Sequence, residues 1–180
     1  RTGKSGWTDD LTAFHEDTAG ADHYIDIASR DNAALSLQRH LTTPAPVIMD
    51  IGCSSGLLLE LLRRRFPTAT LVGADYVRGP LESLATRMRG LPLLQFDLVS
   101  CPLPEACVDA VVALNVLEHI EDDVAALRQI RRILKPGGIA VLEVPAGRRL
   151  YDLYDKELLH FRRYAMSDLL KKVRACNLEV

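Results

Sequence analysis

Asp50-Ile51-Gly52-Cys53-Ser54-Ser55-Gly56 is the run in which residue type and spacing say most about chemistry. Gly52 and Gly56 let a backbone turn tightly and approach a ligand closely, and the amides of a helix starting just beyond favour an anionic group. A plain strand-to-helix turn can use the same residues. Asp75 follows Gly52 by 23 positions. A carboxylate there can accept both hydrogen bonds of a ribose diol, or can end a strand in solvent. Asp97 can accept from an exocyclic adenine amine while the amide of Leu98 donates to a ring nitrogen; alternatively it caps a turn. A nicotinamide or flavin dinucleotide is the nearest rival ligand, but the G-x-G-x-x-G fingerprint requires glycine at position 54, which is Ser here.

Two histidines are candidates for proton transfer. His119, in the run Asn115-Val116-Leu117-Glu118-His119, can serve as base for a hydroxyl, or its Glu-His-Ile element can pin a loop to the next helix. His160 opens His160-Phe161-Arg162-Arg163-Tyr164, where Arg162 and Arg163 can pair with a substrate carboxylate or phosphate or remain surface cations. His119 and His160 lie far apart in sequence without a Cys or His partner at ligand spacing, so no metal is expected. G-x-S-x-G is absent, and no nucleophilic triad is expected.

These residues must be positioned by an alternation of short apolar runs and longer amphipathic ones. Helices are expected over Ala21–Leu41 (with Ile25, Ala28, Leu35 and Leu37 apolar), Leu57–Phe66, Pro80–Met88, Asp122–Leu134 and from Ser167, as cap, to about Ala175. Strands are expected at Val47–Ile51, Thr70–Asp75, Leu93–Phe96, Ala110–Leu114 and Ile139–Val144, with Lys135-Pro136-Gly137-Gly138 as a turn and a further strand starting at Leu178. Alternating strands and helices predict right-handed crossovers and a Rossmann-like, doubly wound, mainly parallel α/β sheet with helices on both faces. In such a sheet ligands sit beyond the carboxyl ends of the strands, where the candidate residues fall.

Composition narrows the partners. The chain has 180 residues, 48% apolar and 26% charged, with 22 Lys and Arg against 24 Asp and Glu. A formal charge of −2 creates no field that would gather nucleic acid or anionic membrane. The basic clusters Arg63-Arg64-Arg65, Arg128 to Lys135 and Lys171-Lys172 fall in later helical turns, where cations complement the helix dipole. No apolar stretch approaches the roughly 20 residues of a membrane span. The four cysteines contain no C-x-x-C pair, so a disulfide framework is not expected and a cytoplasmic protein is. Residues 1–19 are expected to be a flexible N-terminal segment, with Arg1–Gly6 reading as a processed or tag-derived end, and residues 20–180 one domain.

The ordered set D-I-G-C-S-S-G, G-A-D-Y, Q-F-D-L, D-A-V-V-A-L-N-V-L-E-H-I and L-K-P-G-G, from about Val47 to Val144, resembles the class I S-adenosylmethionine-dependent methyltransferases of the type 11-like kind. The H-F-R-R-Y run is similar to a segment of one small-molecule branch. The resemblance implies S-adenosylmethionine as cofactor, S-adenosylhomocysteine as product, and a small-molecule acceptor methylated at oxygen, nitrogen or carbon by in-line displacement. It implies that Asp50 and Gly52, Cys53, Ser54 and Gly56 surround the methionine portion, Asp75 binds ribose, Tyr76 stacks beside adenine, Asp97 and Leu98 read its edge, and Asn115 and Val116 line the sulfonium end. His119 and His160 are then the candidate bases, and Tyr24, Arg162, Arg163 and Tyr164 the candidate acceptor contacts, with a homodimer among the assemblies allowed. Ser54 departs from the family's middle glycine. The family's sheet usually ends in an antiparallel hairpin, and the chain stops at Asn177-Leu178-Glu179-Val180, so a core truncated before that hairpin is expected. An NAD-dependent oxidoreductase and a non-catalytic cofactor-binding module are the alternatives.

Overall fold

The computed structural model describes residues 23–180; the expected flexible segment 1–19 and the first residues of the expected N-terminal helix lie outside them. In chain order the elements are α1 (Tyr24–His40), β1 (Val47–Ile51), α2 (Leu57–Arg65), β2 (Thr70–Asp75), α3 (Arg78–Arg87), β3 (Leu93–Gln95), β4 (Val108–Leu114), α4 (Asp123–Ile133), β5 (Leu134–Glu143), α5 (Leu153–Glu157) and α6 (Met166–Ala175). Among them the sheet has five strands in the order β3-β2-β1-β4-β5, every pairing parallel. The order reverses at β1, which makes the gap between the ends of β1 and β4 the switch point where ligands bind in this class of sheet.

Central strands must satisfy two apolar faces at once, and the sequence shows it as near-continuous Val, Ile and Ala rather than alternation. Met49, Ile51, Val111 and Ala113 enter one core with Leu127, Ile130 and Ile133 of α4 and Val173 of α6. Ile48, Ala110 and Val112 enter the other with Ala33, Ala34 and Leu37 of α1, Leu59 and Leu62 of α2, and Leu84 of α3. The period of two divides β4 cleanly between these layers.

Four local expectations are corrected. The buried face of α1 is Ser29, Ala33, Ala34 and Leu37, whereas Ile25 is 51% and Leu35 38% exposed. Small residues let this helix lie close to the sheet, and that packing outweighs the larger apolar side chains. Lys135–Gly138 is a bulge inside β5: Val108 pairs with Leu134 and Ala110 with Ile139, leaving extra residues on the β5 side. Gly137 takes the φ of +75° that the bulge requires. Helix α6 is capped by backbone at Ala165, and Ser167 lies within its first turn. Leu178–Val180 form no strand.

Asp109 joins the amino ends of the strands. Its Oδ2 accepts from the Val47 amide and the Lys135 ammonium, each at 2.8 Å, and although burial pushes its pKa up, these donors hold it below the ordinary carboxylate value. Oδ2 thereby ties the start of β1 to the β5 bulge.

Candidate active site

A cavity of about 710 Å³ opens at the carboxyl ends of the strands. It brings together Asp50, Gly52, Cys53, Ser54, Asp75, Tyr76, Asp97, Leu98, Asn115, Val116, His119, His160 and Arg163 from widely separated parts of the chain. Tyr24, Gly56, Arg162 and Tyr164 are not in its lining.

The turn after β1 closes on itself. The Gly52 and Cys53 amides both donate to Ala74 O, the Ser54 amide to Asp75 Oδ2 at 2.9 Å, and the Gly56 amide to Cys53 O. The Gly52, Cys53 and Ser54 amides are therefore engaged by the end of β2, and the Gly56 amide within the turn. Gly52 (φ +74°) must be glycine twice over: a Cβ there would stand 2.6 Å from Val116 Cγ2. At Gly56 (φ +79°) a Cβ would stand 2.5 Å from Leu84 Cδ1, so this glycine packs α3 against the start of α2 and lies outside the cavity for that reason. Ser54 adopts φ +43°, the left-handed conformation a middle glycine would take without strain.

What faces the cavity here is carboxylate. Asp50 is buried, and burial followed by the charge of Asp75 pushes its pKa well above the ordinary range. Asp75 accepts from Ser54 N with Oδ2 and from Val77 N with Oδ1, each at 2.9 Å, and it lines the cavity. Asp97 caps the short turn Leu98–Ser100 through Val99 N and also lines the cavity, so its structural role is real and leaves the oxygen Oδ2 available. The Cys53 thiol is pushed up by burial, then by Asp50 and Asp75, and stays protonated.

The other half is assembled from the segments after β4 and β5. Asn115 turns the chain at φ +53°, a conformation that Asn tolerates better than most side chains, and its amide donates to Glu143 O. The following turn, Leu117–His119, buries Glu118 and His119. The amide of Phe161 donates to Glu118 O at 2.8 Å and brings the later segment onto that turn, so that the His119 and His160 rings meet edge to face at 4.6 Å.

Two carboxylates hold this second half. Asp155 is fully buried; its oxygens accept from Arg163 Nε at 2.8 Å, Oδ1 from His160 Nδ1 at 2.8 Å and Oδ2 from the Asp152 amide. Burial pushes Asp155 up, and these donors bring it below the ordinary value, so it is ionised and His160 Nδ1 is the donor. Asp123 likewise receives Lys172 Nζ at 2.5 Å, the Tyr164 hydroxyl at 2.8 Å and Arg162 at 2.8 Å, with the same net downward shift against burial. Arg162 and Tyr164 thus engage Asp123, and Arg163 engages Asp155 while also lining the cavity. Tyr24 is 74% exposed; its neighbours Ile25, Asp26, Ser29 and Arg30 reach the cavity, and Ser29 Oγ donates to Glu143 at 2.6 Å to hold α1 over it.

Glu118 was not expected. It is 1% exposed, Oε2 makes no hydrogen bond, and burial, with Glu143 and Asp155 adding, pushes its pKa from 4.5 to about 8. Its signal was its place beside His119 in the Glu-His-Ile element. Asp155 had no signal of its own, since nothing in a five-residue helix marks one acid over its neighbours.

Comparison with known proteins agrees with this geometry. A family model described as a methyltransferase domain matches residues 49–142, over half the chain. A trans-aconitate 2-methyltransferase of Acidovorax ebreus is 30% identical over 119 residues, 66% of this chain and 46% of that protein. An uncharacterised methyltransferase of Mycobacterium bovis is 39% identical over 93 residues, 51% of this chain and 46% of its own length. The chain thus spans about half the length of the curated relatives it matches. Among solved structures, the [4+2]-cyclase SpnF superposes with a TM-score of 0.69 at 25% identity, covering 82% of this chain and 56% of that one. A geranyl diphosphate C-methyltransferase from Streptomyces coelicolor shares the fold at 18% identity, with a TM-score of 0.67 and coverage of 81% and 59%. The strand order, the glycine turn after β1 and the family match over residues 49–142 together place this chain in the class I S-adenosylmethionine-dependent methyltransferases.

Proposed function

We propose that the chain binds S-adenosylmethionine along the ends of β1, β2 and β4 and transfers its methyl group to a small-molecule acceptor held against the segments after β4 and β5. The observation that carries this reading is the chemistry of the cavity wall: the amides of Gly52, Cys53 and Ser54 are taken up by the end of β2 and that of Gly56 by Cys53 O, while Asp50, Asp75 and Glu118 line the cavity. Carboxyl oxygens accept from ribose hydroxyls and an ammonium, and a bound cation draws Asp50 and Glu118 toward their ionised forms, whereas this wall offers no turn amides to the pyrophosphate of a dinucleotide. Asp75 holds the ribose hydroxyls, Tyr76 lies flat against the base, and Asp97 with the Leu98 amide reads the adenine edge. Asp50, the Gly52 turn, Asn115 and Val116 enclose the methionine end.

When bound, S-adenosylmethionine supplies a methyl group activated by its sulfonium. The chain's own work is to align the acceptor and exclude water, and alignment supplies most of the acceleration. His160 can also take a proton: Asp155 fixes its Nδ1–H, which leaves the Nε2 lone pair for an acceptor hydroxyl or ammonium. The acceptor atom on this reading is oxygen or nitrogen. Arg163 positions Asp155, and Arg162 and Tyr164 hold the segment through Asp123.

Calorimetry with S-adenosylhomocysteine and with NAD checks the ligand. Binding of the former and none of the latter is expected; the reverse overturns the reading. One solved structure of this fold is named a cyclase, so transfer itself needs its own assay. Incubation with methyl-labelled S-adenosylmethionine and a panel of phenols, amines and sugar hydroxyls is expected to label at least one class, and binding without labelling across the panel would favour a non-catalytic module.

A further inference from the structure

Glu118, His119 and His160 place one carboxylate oxygen and one nitrogen from each imidazole within 4.8 Å of one another, all three lining the acceptor end of the cavity. Spacing in sequence gave no reason to group them. The fold does so through the Phe161 amide bonded to Glu118 O, which seats His160 beside the Glu118-His119 turn.

Three features distinguish this cluster from a chance gathering of polar residues. The Glu118 side chain is almost wholly buried, with Oε2 lacking any hydrogen-bond donor, a state that natural interiors rarely leave uncompensated. His160 is oriented before any ligand arrives, because its Nδ1 donates to Asp155 Oδ1 at 2.8 Å and Asp155 is itself clamped by Arg163. This is the carboxylate–histidine arrangement that fixes ring tautomer and orientation behind a metal ligand, with Nε2 as the ligating atom. The third feature is that all three residues line the cavity, from which a water or an acceptor oxygen can approach as a fourth ligand.

We propose that Glu118, His119 and His160 bind a divalent transition-metal ion of the zinc class at the acceptor end of the cavity. Two imidazoles and one carboxylate select Zn²⁺, Co²⁺ or Ni²⁺ over Mg²⁺ or Ca²⁺, which require mostly oxygen ligands. Metal–ligand distances near 2.1 Å place tetrahedral ligands roughly 3.4 Å apart, so donors as far apart as 4.8 Å draw in by rotamer adjustment on binding. On the methyl-transfer reading above, an acceptor hydroxyl takes the fourth position and, with His160 Nε2 then committed to the ion, releases its proton to solvent water before its oxygen attacks the methyl carbon. The metal site itself does not depend on that reading.

The test uses the chain stripped with EDTA and titrated with Co²⁺, followed by visible absorption, and with Zn²⁺, followed by calorimetry. One equivalent is expected to bind, with the intense visible bands of a four-coordinate Co²⁺ centre and paramagnetically shifted imidazole N–H protons in the unaltered chain. Mg²⁺ at equal concentration does not compete. His160→Gln and Glu118→Gln each lower affinity at least tenfold, Asp155→Asn by roughly 10–100-fold, and His40→Ala, an exposed histidine on α1, leaves it unchanged. Absence of stoichiometric binding to the unaltered chain overturns the proposal, as does affinity unaltered in a folded His160→Gln protein or loss on His40→Ala. None of these readouts involves S-adenosylmethionine, so their outcome is separable from that of the cofactor calorimetry.

Discussion

The two halves of the cavity are held by different means. Around Gly52, Ser54 and Asp75 the support is backbone: amides of one turn bonded to the end of the adjacent strand, with left-handed residues where the chain reverses. Around His119 and His160 the support is side chain: two buried carboxylates, Asp123 and Asp155, each gathering cations and donors from other elements. A turn of the first kind forms from neighbours along β1 and β2. The second kind requires α4, α5, α6 and the segment between the last two to be in place together, because a buried carboxylate with only some of its partners is worse than none. Glu118 sharpens the contrast, for it is buried like Asp123 and Asp155 and has none of their compensation at Oε2.

The largest break is expected from Asp155→Ala. It leaves Arg163 and His160 without their shared acceptor and removes the side-chain partner of the Asp152 amide, so denaturant unfolding should show a loss of about 3–5 kcal/mol. The backbone-held half should meanwhile keep its affinity for S-adenosylhomocysteine within roughly tenfold in protein that remains folded. Equal loss of that affinity would show that the halves are one cooperative unit.

Glu118→Gln should act with the opposite sign in metal-free protein. Because the folded chain holds the Glu118 proton up to pH about 8 and the unfolded chain releases it near 4.5, the folded state binds more protons across that window. Stability is therefore full below about 4.5 and is lost as pH rises toward 8, against a field set by Glu143 and Asp155 with His119 and His160 alongside. Unfolding in EDTA as a function of pH should show this decline, and Glu118→Gln should flatten it, gaining on the order of a few kcal/mol at the alkaline end. Asp50 contributes a decline of the same sign that the variant leaves in place. A variant less stable than the parent at pH 8 would mean that Glu118 is compensated after all.

The smallest effects probe the backbone-held half. Gly52→Ala meets both a positive φ and Val116 Cγ2 at 2.6 Å, and should cost about 2 kcal/mol and weaken S-adenosylhomocysteine binding. Ser54→Gly relieves φ +43° and should change stability by less than about 1 kcal/mol, since relief of strain is offset by the greater backbone freedom of glycine in the unfolded chain. Thermal unfolding of the two variants side by side checks whether conformation or contact governs this turn.

Much of the fold was legible because the central strands advertise themselves. Val47–Ile51 and the Val-rich β4 are buried on both faces and can hardly be anything else, and the glycine turn between β1 and α2 needs only local conformation to be read. The cavity-lining residues Asp75, Asp97 and Leu98 follow from the same logic, since they stand where strands end. Less legible were features decided by fit. Of the apolar side chains that marked α1, only Leu37 is buried, because close approach to the sheet favoured Ser29, Ala33 and Ala34 beside it. Lys135–Gly138 read as a turn and became a bulge, because β5 continues pairing with β4 on either side of it. The pairing of Arg162 and Tyr164 with Asp123 was not legible, because no spacing in the sequence reveals that carboxylate beside them.

By itself, then, the sequence determined the alternating architecture, the turn after β1 and the carboxylates at the strand ends, all of which depend on periodicity and on neighbours along the chain. Only the tertiary structure decided which acids are paired and which is not, and that two histidines from distant segments share one wall. Those outcomes turn on burial and on distances between side chains remote in sequence. Burial is also what makes the difference between a paired and an unpaired carboxylate large enough to matter.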